Sequence, residues 1–340
     1  MDSSGLNPFT DFCYLFLSIV LEGAPFIFFG TLISGFIDAY LPPGLIDRWL
    51  PKKKPLAVMV SALLGAIFPV CECAIVPVIR RLIRKGLPVS CAITYMLSAP
   101  IINPIVVIST YNAFSTEQGK FMLRQLDDAG TEGPLFVTLS RLGIAFIVTV
   151  GMGWLVLKMR RDSVLRPEIL AGTGLGGHAE SQDTPDEAHG HDHDHGATSR
   201  DTKDGPSHAD RLVHAMRTAM RDFVDTAMYF SIGVAITSLF KAYVTDDLVV
   251  LFNQSEYIGI NLMMVLAFVL SLCSTSDAFI AANFPVPLSA KLAFLVFGPM
   301  MDVKLVFMYL AVFKRRFVTG MAIGLFLVIG ALCYFWMHVL

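Results

Sequence analysis

Charged residues are scarce in this sequence, and that scarcity narrows the class of protein. Only 16% of the 340 residues are Asp, Glu, Lys or Arg, whereas 54% are apolar, and the mean hydropathy is +0.62. About a quarter of the residues in a soluble domain are charged, so the composition excludes an ordinary soluble fold. The sequence therefore predicts a polytopic membrane protein that lies in the lipid bilayer.

An excess of charge of either sign is also missing. The 26 Lys and Arg residues oppose 28 Asp and Glu residues, so nothing points to a nucleic-acid partner. The cysteines lie almost entirely within apolar stretches, which excludes a secreted disulfide framework. No GxxxxGK[ST] loop occurs, so we predict neither a cofactor nor ATP binding and expect a gradient or a partner to supply energy. No basic region precedes the first apolar run, so we expect that helix to be retained.

Six apolar stretches approach the length of about 20 residues that a bilayer crossing requires. They cover residues 12–40, 92–110, 135–158, 223–243, 290–313 and 317–340. Two further apolar regions, 56–85 and 258–284, are interrupted at residues 69–73 and 273–277. Basic residues flank the first region on both sides, which places both of its ends in the cytoplasm. The sequence thus predicts an all-α fold of six spans and two re-entrant hairpins, or eight spans if each hairpin counts as one.

The two halves of the chain share a pattern that predicts an internal repeat. Gly30 corresponds to Gly233, and at a constant offset of 199 residues four positions match, Pro88, Ser90, Pro100 and Asn103 with Pro287, Ser289, Pro299 and Asp302. Because each half holds three crossings, an odd number, the copies are predicted to be inverted. We expect membrane repeats at residues 1–159 and 222–340, separated by a disordered cytoplasmic insert at 160–221. Its end, 211–221, is predicted to be an amphipathic lead-in to the next span that lies at the cytoplasmic membrane surface.

Three sequence motifs resemble those of a known family. They read FPVCECAIVPVIRRLIRKGLP, then SAPIINPIVVIST, then CSTSDAFIAANFP followed by FGPMMDVK. They resemble the predicted permease family that includes the ArsP-type organoarsenical efflux permeases, across both membrane halves. The resemblance implies a multi-pass permease of the bacterial inner membrane rather than an enzyme. In ArsP-type members the cargo is trivalent methylated or aromatic arsenic, exported from the cytosol.

Thiols at the two interrupted regions suggest where cargo binds. Trivalent arsenic and cuprous copper are soft and prefer thiolate ligands. The predicted cargo-binding residues carry thiol, amide or hydroxyl groups, and most lie at the interruptions: Cys71, Cys73, Cys91, Asn103, Cys273, Ser274 and Ser276. The alternative is that the cysteines only pack, because two thiols two residues apart diverge on a regular helix. They converge only where the helix is unwound.

Acidic residues within the apolar stretches are candidates for proton coupling. Burying one charge in a membrane costs about 2.5 to 3.5 kcal/mol even on a permissive scale. A carboxylate there can hold a proton and release it when the cavity changes exposure, and we assign this role to Glu72, Asp277 and Asp302. The alternative is a static ion pair with Arg141 or Lys304 that only holds helices together.

Histidines are concentrated in the polar insert. His189, His191, His193 and His195 can bind a metal ion weakly through imidazole, although their spacing fits no closed structural site. The alternative is a solvated linker.

The leading prediction from these residues is gradient-driven efflux of a soft, thiol-reactive cargo. The cargo is a small molecule or a metal ion, and a second copy or a different protein is the expected partner. Three alternatives remain: copper or zinc efflux, an intramembrane thiol oxidoreductase that uses Cys71 and Cys73, and a membrane subunit that holds a soluble partner through the insert.

Deleting residues 187–196 distinguishes two of these hypotheses, efflux of copper or zinc and efflux of an organoarsenical. Resistance to copper or zinc is expected to fall if the histidines gather metal cargo, whereas resistance to organoarsenicals is expected to stay unchanged if the cargo is organic arsenic. Growth of expressing cells on graded metal and arsenical media measures both. Loss of arsenical resistance on this deletion would contradict the assignment of the insert as a dispensable linker for arsenic export.

Overall fold

The computed structural model describes residues 8–40, 50–68, 70–116, 133–167, 208–243, 256–284 and 286–339, together with 119, 121 and 169. Within these residues the fold is all-helical, apart from an isolated bridge between Leu165 and Phe313. The first half holds α1 (Pro8–Tyr40), α2 (Lys54–Ile67), α3 (Glu72–Arg84), α4 (Val89–Ser98), α5 (Pro104–Ser115) and α6 (Pro134–Leu157). A single turn, α7 (Arg161–Val164), follows.

The second half repeats this order of helices. It holds α8 (His208–Tyr243), α9 (Glu256–Leu270), α10 (Asp277–Asn283), α11 (Leu288–Met300), α12 (Val303–Leu310) and α13 (Arg315–Val339). In each half a long helix comes first, an interrupted apolar region follows, a broken helix comes next, and an unbroken helix comes last. The all-helical class predicted from composition is confirmed.

Two of the six predicted spans are broken near their middles. The stretch predicted as one helix at 92–110 is divided into α4 and α5, and the stretch at 290–313 is divided into α11 and α12. Both breaks have the same cause. Asn103 accepts a hydrogen bond from the Ile105 amide at 3.0 Å, and Asp302 accepts one from the Leu305 amide at 2.7 Å, so each caps the helix that follows. Asn103 and Asp302 correspond in the predicted repeat, and both have the same capping role.

The two helices of the first interrupted region, α2 and α3, have their outer ends on the same side of the molecule as the C-terminal end of α1. Gly30 of α1 lies against Ala74 of α3, and further along both helices Lys85 donates to the Asp38 carbonyl at 2.7 Å, so α1 and α3 run in the same direction. Helix α2 starts at that same end, since its first turn and the start of α4 line one cavity. We call this the basic end, because Arg81, Arg84 and Lys85 lie there.

In the second interrupted region, helix α10 extends toward the end of the molecule opposite to the basic end. It runs alongside α5 in that direction. Its first residues lie near Ser109, which donates to the Thr275 carbonyl at 2.6 Å. At its last turn the Ala282 carbonyl accepts a hydrogen bond from Lys291, whose ammonium lies over the ring of Phe114 near the end of α5.

Helix α8 is continuous from His208 to Tyr243, so the segment 211–221, predicted as an amphipathic lead-in, forms one helix with the span that follows it. That segment forms the first turns of α8, which runs antiparallel to α1. Its buried alanines, Ala215 and Ala219, pack against Gly35 of α1. The small residues let the two backbones approach closely, and this packing holds the segment in the helix pair.

Several helices have the length and composition to cross a bilayer. Four helical segments among the described residues have that length and composition: Phe9–Tyr40, Pro134–Leu157, Leu288–Leu310 and Arg315–Trp336. The segment Leu288–Leu310 comprises α11 and α12. The outer faces of the helices carry exposed large apolar side chains, among them Phe29 of α1, Leu63 of α2 and Leu327 of α13. Such surface is unfavourable in water and suits lipid. The chain is therefore a multi-pass membrane protein.

Two glycines allow helices to approach the centre of the molecule. A Cβ atom on Gly30 would lie 2.6 Å from the Ala74 carbonyl oxygen, and one on Gly233 would lie 2.6 Å from the Lys304 Cα. Both neighbours are backbone atoms, which cannot move aside cheaply. These equivalent glycines seat α3 and α12 beside the long helices.

Gly233→Ala is expected to destabilise the protein by about 1–3 kcal/mol, because the added methyl group pushes the α12 backbone outward. Thermal unfolding of the detergent-purified protein measures this. Gly320→Ala in α13 is the matched control, since nothing lies within 4 Å of its Cβ position. The control is expected to keep or gain up to about 1 kcal/mol through helix propensity. Similar unfolding temperatures for the two variants would show that α8 and α12 are not in tight contact.

Candidate functional site

The two interrupted regions meet in the interior of the protein. The first tip is described at residues 68, 70 and 71 and ends with Cys71 in extended conformation as the N-cap of α3, and the second tip, residues 271–276, joins α9 to α10. Both tips contribute to one small cavity, with α1 and α8 forming its other walls. Its lining residues are Ile19, Glu22, Gly23, Phe26, Cys71, Glu72, Cys73, Phe230, Ser271, Cys273 and Lys304. We call this the central cavity, and its volume of about 20 Å³ has room for about one water molecule.

Three thiols reach the central cavity. Cys71 lies outside the regular helix and Cys73 lies in its first turn, so the divergence expected on a regular helix does not apply. Cys273 comes from the other tip, where its sulfur lies 3.5 Å from the Thr275 hydroxyl oxygen. All three are free thiols. The cavity therefore offers soft sulfur ligands from both halves of the chain.

Glu72 connects the two halves through its carboxylate. Its Oε2 accepts a hydrogen bond from the Ser274 hydroxyl at 3.3 Å, and its Oε1 lies 3.5 Å from the Lys304 ammonium. Glu72 is only 1% exposed and Lys304 only 3%. A buried carboxylate without partners is strongly unfavourable, so these contacts stabilise the approach of both tips and α12.

Lys304 also contacts two further groups. Its ammonium lies 3.5 Å from the Asp302 carboxylate and donates a hydrogen bond to the Ser271 carbonyl at 3.0 Å. Ser271 adopts a left-handed backbone conformation, φ 47°, which ends α9 and turns the chain into the tip. Such a conformation is uncommon for a residue other than glycine, and the Lys304 contact helps to hold it.

A second buried ion pair lies beside the first. Arg141 Nη2 is 2.8 Å from Asp277 Oδ2, and both side chains are almost fully buried. Arg141 also donates to the Thr110 hydroxyl at 2.7 Å and to the Ser274 carbonyl at 3.4 Å. Through Ser274 the two ion pairs form one polar network. Asp277 Oδ1 and Arg141 Nε lack a hydrogen-bond partner among the described residues, so capacity for further contacts remains in this network.

Not every predicted site residue reaches the central cavity. Cys91 lines a different cavity near the basic end. The Asn103 amide caps α5, and the Ser276 hydroxyl donates to the Cys273 carbonyl at 3.1 Å within its own tip. The four histidines predicted to bind metal, His189, His191, His193 and His195, lie outside the described residues. Among the described residues no group of three His, Cys, Asp or Glu side chains is placed to hold a metal ion.

The basic residues lie at the centre of the polar network. Lys304 and Arg141 were predicted as possible partners in static ion pairs, and each is paired with an acidic residue there. Glu22, on α1, lines the central cavity while its side chain is exposed, and it was not assigned a role. Lys291, which is fully buried in α11, was missed. The signal was present in each case, because a charged residue within an apolar stretch is seldom accidental.

A third set of ion pairs lies at the basic end. Arg81 of α3 pairs with Asp222 of α8 at 3.0 Å and with Asp38 of α1 at 3.4 Å. The Ser34 hydroxyl donates to Asp222 at 3.0 Å. These contacts join α1, α3 and α8 on the side of the basic end.

Apolar outer faces around a buried polar network place the chain in the class of multi-pass membrane proteins. The chain belongs to the ArsP_1 family, described as "predicted permease", whose profile matches residues 9–336. The resemblance drawn from the three motifs is thereby confirmed.

Two relatives cover nearly the whole chain. The "UPF0718 protein YcgR" of Bacillus subtilis is 36% identical over 306 residues, which is 89% of this chain and 89% of the relative. A Streptococcus mutans protein named "Putative two-component membrane permease complex subunit" is 31% identical over 306 residues, 89% of this chain and 87% of the relative. No solved structure matches the chain significantly.

Asp277→Asn is expected to destabilise the protein by about 3–5 kcal/mol, because it leaves the Arg141 charge buried without its partner. Adding Arg141→Met is expected to restore much of this loss, since the double variant buries no charge at the position. Thermal unfolding of the two single variants and the double variant completes the cycle.

The control for this cycle is the Arg80–Asp225 pair, where the distance is 3.4 Å and Asp225 is 58% exposed. Asp225→Asn is expected to cost at most about 1 kcal/mol, as surface pairs do. A loss for Asp277→Asn no larger than this would contradict the buried ion pair.

Proposed function

We propose that this protein is a gradient-driven efflux permease for a soft, thiol-reactive cargo such as a trivalent organoarsenical. The observation that carries the proposal is the central cavity, where Glu72 bridges the two tips in the company of three thiols. Sulfur is the preferred ligand of trivalent arsenic. The permease family indicates transport as the class of function, and the thiols of the cavity favour a soft cargo.

The proposed architecture is an inverted repeat of six crossings and two re-entrant hairpins. Three observations support it. The α2 and α3 helices share the basic end, whereas α10 runs toward the opposite end, and the equivalent residues Asn103 and Asp302 cap equivalent helices. Inverted repeats with broken helices permit alternating access, because one unit can rock against the other around a fixed site.

Binding is proposed to occur by exchange of ligands on arsenic. Each cysteine thiol that forms an As–S bond releases a proton, which leaves as water with the hydroxide displaced from the arsenic. The central cavity has room for about one water molecule in this conformation, so the tips must separate before such a cargo can enter. The Arg81 pairs with Asp38 and Asp222 are the proposed gate on the basic side, because they close that route between α1, α3 and α8.

Glu72 is the proposed proton carrier. Its carboxylate shares Lys304 with Asp302, so protonation of Glu72 would weaken the link between the tips without leaving the lysine unpaired. Asp302 is a second proposed site of protonation for the same reason. Asp277 is proposed in a lesser role, because Arg141 already holds it in a short ion pair.

The location and the partners are also proposals. The basic residues at the ends of α3 and α6 support a cytoplasmic basic end and a bacterial inner-membrane location under the positive-inside rule. The printed name of the Streptococcus mutans relative describes a two-component complex. We therefore propose that a second protein assembles with this chain for transport.

Cuprous copper is the alternative cargo that a specific observation favours. The same three thiols, Cys71, Cys73 and Cys273, are suitable soft ligands for that ion. Thermal unfolding of purified protein with methylarsenite, phenylarsenite, cuprous copper or zinc distinguishes the cargoes, because a ligand that binds only the folded state raises the unfolding temperature.

Transport is tested in everted membrane vesicles that contain the protein. Methylarsenite accumulation is expected to require a proton gradient, and Glu72→Gln is expected to remove that requirement or abolish accumulation. Cys71→Ser and Cys73→Ser are each expected to lower accumulation by at least about 10-fold, a loss typical even of residues that only support a ligand. Cys333→Ser is the matched control, since Cys333 is a buried thiol of α13 that does not line the central cavity.

Equal accumulation with and without the gradient would overturn proton coupling. Cysteine variants that behave like the Cys333→Ser control would overturn the cargo site. Full transport by the purified chain alone in proteoliposomes would overturn the requirement for a second protein.

A further inference from the structure

A cavity at the basic end has a different chemistry from the central cavity. It lies where α2 and α4 begin and α6 ends, and its volume is about 330 Å³. Its polar lining includes Lys52, Lys54 and Arg161, and it reaches the buried Cys91. We call it the basic cavity.

The charge of the basic cavity is uncompensated. Lys52, Lys54 and Arg161 are exposed, and no ion pair joins any of them to an acidic group of the described residues. None of the described residues that line the cavity is acidic. By contrast Arg80, Arg81 and Lys85, at the same end, all have acidic partners. The three cations of the basic cavity are therefore available for an anion from outside the chain.

Two helix N-termini add to this positive potential. The N-cap residues of α2 and α4, Lys53 and Pro88, make no side-chain capping hydrogen bond. The amides of each first turn thus keep their partial positive charge, which favours an anion. The C-terminal end of α6 opposes this effect, but two positive helix ends and three cations outweigh one negative helix end.

An apolar wall makes the cavity amphipathic. Val156, Leu157 and Met159 line it together with the cations. Beside it the outer face of α2 carries Leu56 and Leu63, both exposed, on the surface that suits lipid. A small inorganic anion has no apolar groups to bury against such a wall, whereas the glycerol and acyl groups of a phospholipid are stabilised by this contact.

We propose that the basic cavity binds the phosphate group of an anionic phospholipid. Lys52, Lys54 and Arg161 contact the phosphate oxygens, and the first acyl carbons lie along the α6 wall. This site is separate from the proposed transport pathway, so the lipid is a structural ligand rather than a cargo. The proposal also gives Cys91 a location beside a lipid site instead of the cargo site predicted from the sequence.

The test compares the full-length purified protein with a triple variant, Lys52→Gln, Lys54→Gln and Arg161→Gln. Phosphatidylglycerol in mixed micelles is expected to raise the unfolding temperature of the unmodified protein, whereas phosphatidylcholine with the same acyl chains is not. Native mass spectrometry counts the lipid that stays bound. The triple variant is expected to bind phosphatidylglycerol about 100-fold more weakly, because each cation at a membrane surface contributes a factor of about five.

The matched control removes three cations elsewhere, with Arg217→Gln, Arg315→Gln and Arg316→Gln. These residues are exposed and do not line the basic cavity. This control is expected to keep the phosphatidylglycerol effect. Equal loss in both triple variants would overturn the site in favour of net charge. The single variants Lys54→Gln and Arg161→Gln keep the test valid if the triple variant is misfolded, since each is expected to bind about five-fold more weakly.

Inorganic phosphate distinguishes the two possible sources of the bound anion, a phospholipid headgroup and free phosphate. It is expected to raise the unfolding temperature far less than phosphatidylglycerol does. Stabilisation by phosphate alone, with no further gain from the lipid, would overturn the phospholipid assignment in favour of a free anion. Unchanged phosphatidylglycerol binding by the triple variant would overturn the basic cavity as an anion site altogether.

Discussion

The contact of the Glu72 carboxylate with Lys304 and Ser274 is the interaction on which the interior of this protein depends. Both charges are almost fully buried, and a bilayer supplies no water to solvate them. Each charge is therefore tolerable only while its partner is close. Because Glu72 belongs to α3, Ser274 to the second tip and Lys304 to α12, this condition holds both halves of the chain together at one point.

The contacts at the helix breaks also follow from the absence of water in the bilayer. A helix that ends inside a bilayer exposes amide and carbonyl groups that must find partners within the protein. Asn103 and Asp302 satisfy amides at the starts of α5 and α12, and the Ser271 carbonyl is satisfied by Lys304. Lys304, which satisfies the Ser271 carbonyl and pairs with Asp302, also lines the central cavity with the thiols, so helix termination and the candidate site share residues there.

Much of this arrangement was predictable from local pattern. Apolar runs predicted the helical membrane class, the motifs predicted the family, and the positions of Cys71 and Cys273 at interruptions predicted the two tips. The breaks within residues 92–110 and 290–313 were harder to foresee, because hydropathy averages over a window and a single capping side chain does not change that average. The continuity of α8 also depends on packing. Residues 211–221 were predicted as an amphipathic lead-in to the next span, and burial of Ala215 and Ala219 against α1 continues that helix into the span.

Composition and local pattern, by themselves, determined that this chain enters a membrane, where its two interrupted regions lie and that charged residues fall within its apolar stretches. These are local properties, since hydropathy, proline and capping act over a few residues. Only the tertiary structure decided that Glu72 faces Lys304 while Arg141 faces Asp277, and that Cys91 lies at the basic cavity, apart from Cys71 and Cys73. Those pairings join residues more than a hundred positions apart, or separate near neighbours, and helix packing alone sets such distances.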